Sequence, residues 1–87
     1  GYASDLLSNV MGQASDGMVW VTMQGHQNIA AVAALLGLSA VVVAGGTTIE
    51  QETLTKAEKN DVLILTTKLP TFEVVGKIYA LGVKNTK

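Results

Sequence analysis

Apolar and polar positions alternate along the chain with two periods, one helical and one extended. Leu6, Leu7, Val10, Met11 and Ala14 recur at helical spacing and predict a first helix with one apolar stripe. Ser4 is placed to cap it, and Asp5 suits the positive end of its dipole. Ser15-Asp16-Gly17 reads as a turn, and Met18–Met23 as a strand with β-branched and aromatic content. Gln24-Gly25-His26-Gln27 is a polar loop. A helix follows over Asn28–Leu36, with Gly37 as its stop. Ala40–Ala44 is a Val-rich strand that runs into Gly45-Gly46. Thr48-Ile49-Glu50-Gln51 has the form of a capping box. The helix behind it has only a thin apolar stripe, Leu54 and Ala57, and ends at Asn60-Asp61. Val62–Leu65 is a continuous apolar run, as expected of a strand covered on both faces. After a loop over Thr66–Pro70, a last helix spans Thr71–Leu81. Its expected inward residues are Phe72, Val75, Ile78 and Tyr79, and Gly82 terminates it.

Strand and helix thus alternate three times, with a helix in front. Each connection is long enough for a right-handed crossover. The expected fold is α/β: a three-layer, open, mostly parallel sheet with helices on both faces. The strands near 18–23, 40–44 and 62–66 should be parallel neighbours. Residues 1–3 read as the end of a further strand. With 87 residues the chain is one domain, 1–87, above the roughly 40 residues below which folds usually need staples. It shows neither an internal repeat nor a low-complexity segment. It starts at Gly1 without a Met and without a signal-peptide pattern, so a short preceding segment is expected.

Charge changes the picture in two ways. Six Lys, no Arg and seven acids give a net charge of −1, which argues against a nucleic-acid surface, since that would show a basic stripe. The charges are also unevenly placed. Asp5 and Asp16 are the only formal charges before Glu50, and Gly17–Ile49 has none. A membrane span is rejected for that stretch. Gln24, His26, Gln27 and Asn28 interrupt it at one end, Gly37 and Ser39 in the middle, and no Lys or Arg flanks it. A buried helix followed by a buried strand fits better, and the expected location is cytoplasmic. Charged residues are 15% of the chain against a usual share of about 25%. So small a domain buries only around 60–65% of its unfolded surface. The expected partner is therefore a second copy, in a homodimer or higher homo-oligomer.

Absence of Cys excludes disulfides, thiolate chemistry and Cys-ligated zinc or iron–sulfur. No cofactor is expected. Open α/β sheets bind ligands outside the carboxyl ends of their strands. Those ends carry Gln24–Asn28, Gly45-Gly46-Thr47-Thr48 and Thr66-Thr67-Lys68, a rim of amides, hydroxyls, one imidazole, one ammonium and bare backbone. The same residues also serve as ordinary loops and caps. His26, the only histidine, has no acid near it in sequence to orient it as a base and no second ligand at metal spacing. Gly45-Gly46 fits neither nucleotide-binding fingerprint, and a tight strand-to-helix turn accounts for it. Ser4 and Ser8 have no nucleophile elbow around them. If a ligand binds, it should be a small anion or phosphorylated metabolite near His26, Gly45, Gly46, Thr47, Thr67 and Lys68. The glycine N–H groups, adjacent helix N-termini and one ammonium would hold it. Affinity is then expected to depend more on Gly45 and Gly46 than on His26.

Gln24–Ala33, then Ala40–Gly46, then Leu63, Leu65, Thr66 and Thr67 with Thr71-Phe72, together resemble the DRTGG domain. That family is similar to the N-terminal domain of HPr kinase/phosphorylase, and includes small stand-alone bacterial proteins labelled HPr-serine-kinase-like. The family's Asp-Arg pair is absent, because the matching loop reads Gly25-His26-Gln27-Asn28. Its Gly-Gly survives as Gly45-Gly46, preceded by Ala44 where the family usually has Thr. The resemblance implies a non-catalytic accessory or regulatory domain, found beside kinase, acetyltransferase or CBS modules, and not a kinase.

Three functions are therefore expected in descending order. The first is a regulatory domain that senses a small ligand or a partner. The second is a homo-oligomeric assembly module without ligand. The third is a small enzyme on an anionic substrate, resting on His26 and Lys68 alone.

Overall fold

A computed structural model describes residues 1–84 of the chain. Its elements are β1 (Tyr2–Ala3), α1 (Leu7–Gln13), β2 (Val19–Thr22), α2 (Asn28–Leu36), β3 (Ala40–Val43), α3 (Gln51–Lys59), β4 (Ile64–Thr66) and α4 (Thr71–Ala80). The strands form one four-stranded sheet in the order β1-β2-β3-β4, and every pairing is parallel. The three strands expected as parallel neighbours are β2, β3 and β4, with β4 at the edge, and residues 2–3 supply the fourth.

Register decides which side chains share a face. Trp20 stands opposite Val41 and Val41 opposite Ile64, with Thr22 beside Val43. These residues point one way, and Val21, Val42 and Leu65 the other, because side chains alternate along a strand. The first set joins the main core: Trp20, Val41 and Val43 with Val10 and Ala14 around α1 and with Ile29, Val32 and Ala33 of α2. Trp20 is fully buried, and its indole N–H donates to the Ser4 carbonyl at 2.8 Å. Ile49 and Val62, which flank α3, pack against the same cluster. A consecutive strand order joined by crossovers of one hand gathers the connecting helices on one side. The second set makes a smaller cluster: Val21, Ala44 and Val74, with Val42, Val75 and Ile78 beside them.

Helix ends follow local chemistry at one terminus and tertiary packing at the other. α2, α3 and α4 close through a residue with left-handed backbone: Gly37 (φ 67°), Asp61 (φ 55°) and Gly82 (φ 107°). Each is followed by a reverse bond to the helix, from Leu38 N to Ala33 O, Val62 N to Ala57 O and Val83 N to Ile78 O. The expected N-caps differ. Ser4 Oγ accepts from Leu6 N at 3.1 Å, but α1 starts later, with Leu6 as its uncapped boundary residue. The Thr48 capping box does not form: α3 starts at Gln51 after Glu50, with no side-chain cap.

Two burial expectations also need correction. In α4 the inward residues are Val74, Val75 and Ile78, whereas Phe72 is 89% exposed and Tyr79 more than half exposed. The helix is rotated so that its single contact line meets β2, and Phe72 falls on the far side. In β4 Leu63 and Leu65 remain about half exposed, because β4 is an edge strand and, among the described residues, no helix crosses over it on the Leu65 face. Among the described residues no helix is long and apolar enough to cross a membrane.

Candidate ligand rim at the strand ends

All strands being parallel, their carboxyl ends meet along one edge of the sheet. The segments there are residues 4–6, 23–27, 44–50 and 67–70. Asp5 organises the first two. Its Oδ1 accepts from Thr22 Oγ1 and from Met23 N, both at 2.7 Å. The Gln24 side-chain amide donates to the Asp5 carbonyl, while Gln24 Oε1 is buried without a partner. Asp5 was expected at the dipole of α1. It is instead the clamp that holds the end of β2.

Gly25 is buried and joins this loop to α3. Its carbonyl accepts from Glu50 N at 3.1 Å and from the buried Thr53 Oγ1 at 2.8 Å. A Cβ at Gly25 would sit well inside contact distance of the Thr48 carbonyl oxygen, so the loop-to-loop approach requires glycine. His26 follows as a half-buried residue, and its carbonyl accepts from Ile29 N at 3.2 Å. Gln27 bounds α2 without a side-chain cap.

On the other side of the rim the structure brings Gly45, Gly46, Thr67 and Lys68 together. Gly45 N donates to Leu69 O at 2.8 Å, and Gly46 N to Thr67 O at 2.9 Å. Thr67 N in turn donates to Val43 O at 3.1 Å. The physical case for an anion cradle at the glycines therefore changes: these N–H groups are committed to the neighbouring loop. Glycine is required at both positions for a different reason, since φ is 75° at Gly45 and 70° at Gly46. Lys68 is exposed and passes next to Gly46. Thr47 Oγ1 donates to Ala44 O at 3.2 Å, and the Thr47 methyl lies beside Gly25. The 45–47 turn thus links the Lys68 side to the His26 side.

Four helices begin at this rim without a side-chain cap, and they are not equivalent. α3 carries Glu52 and α4 carries Glu73 in the first turn, whereas α2 carries no acid there. α1 has no acid in its first turn but follows directly on the Asp5 carboxylate. Negative charge at these three helix starts opposes a bound anion, so the start of α2 beside His26 is the favourable one. Acid–base chemistry has less support, because the Asp5 carboxylate is engaged by Thr22 and Met23. Among the described residues no group of His, Asp and Glu is arranged to hold a metal. Sequence reasoning missed Asp5 and Thr53 as parts of the rim. Gln24 and Gly25 were legible there as part of the polar loop, whereas neither Asp5 nor Thr53 carries a local signal for the rim.

A cleft of about 310 Å³ lies elsewhere, between β1 and the second half of α4. Its lining includes Tyr2, Ala3, Val21, Val75, Ile78 and Tyr79 and is mostly apolar, so it does not suit an anion.

Compared with known protein families, the chain matches the DRTGG domain over residues 3–81, nearly its whole length. No curated protein and no solved structure matches it.

Proposed function

The chain belongs to the DRTGG domain family, a family of regulatory type, and from that premise we propose that it is a non-catalytic regulatory domain that senses a small anion at the carboxyl ends of its strands. The family match supports the regulatory part of this reading, and the polar rim at the strand ends supports an anion there. The ligand, a phosphate or phosphorylated metabolite, would sit by the uncapped, acid-free start of α2, within reach of His26 and Thr47. Thr67 and Lys68 close the rim from the β4 side. Gly45 and Gly46 shape the turn between these groups and do not donate to the ligand. The expected order of importance is reversed accordingly, with His26 and Lys68 ahead of the glycine N–H groups.

The test is isothermal titration and thermal shift with inorganic phosphate and a set of sugar phosphates, on wild type, His26→Ala and Lys68→Ala. Saturable binding that weakens in both variants supports the site. Binding of equal strength in all three proteins, or no binding at all, counts against it. Turnover of a phosphorylated compound that disappears in His26→Ala would favour the enzyme reading instead.

The domain is also proposed to work as a homo-oligomer, most simply a homodimer. Phe72 and Leu81 are 89% and 84% exposed, and Leu63, Leu65 and Leu35 add to the uncovered apolar area. An assembly role without ligand is the second reading, and the same titrations separate the two.

A further inference from the structure

We propose that two copies of this chain pair through α4, antiparallel across a two-fold axis near Gly76, with Phe72 of each copy seated beside Tyr79 and Ala80 of the other. The inference deepens the self-association proposed above and rests on it.

α4 buries one line of residues, Val74, Val75 and Ile78, against its own sheet. On the opposite side Phe72, Gly76 and Ala80 follow one another at intervals of one helical turn, and all three are exposed. Phe72 is the most exposed of the large apolar side chains described, at 89%. Nothing among the described residues of the protomer accounts for Gly76. Its backbone is not left-handed, and a Cβ there would meet nothing within 4 Å. A glycine inside an exposed helix is unfavourable by roughly 0.5–1 kcal/mol relative to alanine. What such a glycine permits is close approach by another backbone.

The positions are symmetric in a telling way. Phe72 and Ala80 lie equally far before and after Gly76, so in an antiparallel pair centred there each Phe72 arrives at the partner's Ala80. Gly76 and Ala80 give that recess its depth, and Tyr79 forms its wall, as a knob meets a hole between helices. Lys84 lies over the Tyr79 ring, 3.7 Å from its centroid, which holds the wall in place. Beyond the wall is the apolar cleft of about 310 Å³ that Tyr79 and Val83 line. A dry cavity of about 150 Å³ already accommodates a benzene ring.

Charge selects the orientation and the occupant. Glu73 and Lys77 stand one turn apart on one flank of this face, both exposed. In an antiparallel pair centred near Gly76 this flank meets the same flank of the partner, with Glu73 of each copy less than one turn along from Lys77 of the other, twice over by symmetry. A parallel two-fold pair would set this flank against the partner's other flank, that of Phe72 and Tyr79, and leave both charges without a counterpart. The surface is thus complementary to itself in shape and in charge, which identifies a second copy as the partner.

The experiment is sedimentation equilibrium of the full chain across the micromolar range, with melting followed in parallel. Wild type should be a dimer. Gly76→Leu fills the recess and should weaken dimerisation by roughly tenfold or more while leaving the melting temperature of the monomer unchanged or higher. Glu73→Lys should weaken it, and Glu73→Lys with Lys77→Glu should restore it. A dimer indifferent to Gly76→Leu and Phe72→Glu would overturn the α4 interface while keeping self-association. A monomer at every concentration would overturn both, and neither outcome touches the anion titrations.

Discussion

The two faces of the sheet bury very different amounts of side chain. On one, Trp20, Ile29, Val10, Val41 and Val43 are all essentially inaccessible to water, and the helices between consecutive strands close over them. On the other, one helix meets Val21 and Ala44 through Val74, while Leu65 and Phe72 stay uncovered. Topology imposes the difference. Crossovers of one hand between neighbouring strands put all connecting helices on the same side, so only the segment after the last strand can return over the other. The first face therefore sets the stability of the fold, and the second is left available for contact.

The largest test of this contrast is Trp20→Ala against Val74→Ala. Loss of the buried indole should cost about 3–5 kcal/mol and leave its Ser4 acceptor unmet. Val74→Ala removes two buried carbons from the smaller cluster and should cost about 1–2 kcal/mol, at roughly 0.8 kcal/mol per CH₂. Urea denaturation of both variants gives the comparison directly, and equal losses would break it. Next comes Gly25→Ala, which forces apart the loop that ties β2 to α3 on the well-buried side. Overpacking against a backbone carbonyl should cost about 1–3 kcal/mol in the same measurement. A neutral result would mean that the 23–27 and 44–50 segments are loosely joined.

On the open face the sign should invert. Gly76→Ala adds a methyl group to open space on a helix and should raise monomer stability by about 0.5–1 kcal/mol, read as a higher urea midpoint. The smallest effect belongs to Phe72→Ala. At protein concentrations below self-association its unfolding free energy should stay within about 0.5 kcal/mol of wild type, because so little of the ring is buried within the protomer. A loss as large as that of Val74→Ala would show that Phe72 packs within its own chain and would remove the reason to treat this face as available.

The rim between the faces was partly legible. His26, Gly45, Gly46, Thr47, Thr67 and Lys68 follow from the strand ends, because every parallel strand must deliver its next loop to the same edge. The linkage of Thr47 to Gly25 and of Gly46 to Lys68 is in keeping with that. The occupation of the Gly45 and Gly46 N–H groups was not legible. Their acceptors, Leu69 and Thr67, lie more than twenty residues further on, and no local pattern pairs them. Asp5 was misread for the same reason: next to a predicted helix an acid looks like a dipole partner, whereas its hydrogen-bond partners come from β2 and the residue after it.

What the sequence determined by itself is everything with a short period or a local backbone requirement. The alternation of strand and helix, the parallel pairing of β2, β3 and β4 it implies and the helix ends at Gly37, Asp61 and Gly82 belong there, since backbone conformation and near-neighbour spacing set them. Tertiary structure alone decided which apolar residues of an ambiguous helix or strand turn inward. α4 has large apolar residues, Phe72, Val74, Val75, Ile78, Tyr79 and Leu81, over about half its circumference, so periodicity does not fix which of them turn inward. Contact with Val21 chose Val74, and left Phe72 in water. Val62–Leu65 reads as a covered strand until the sheet order makes β4 an edge. A hydrophobic residue records only that burial would be favourable, and the surface available to bury it exists only once the other strands are in place.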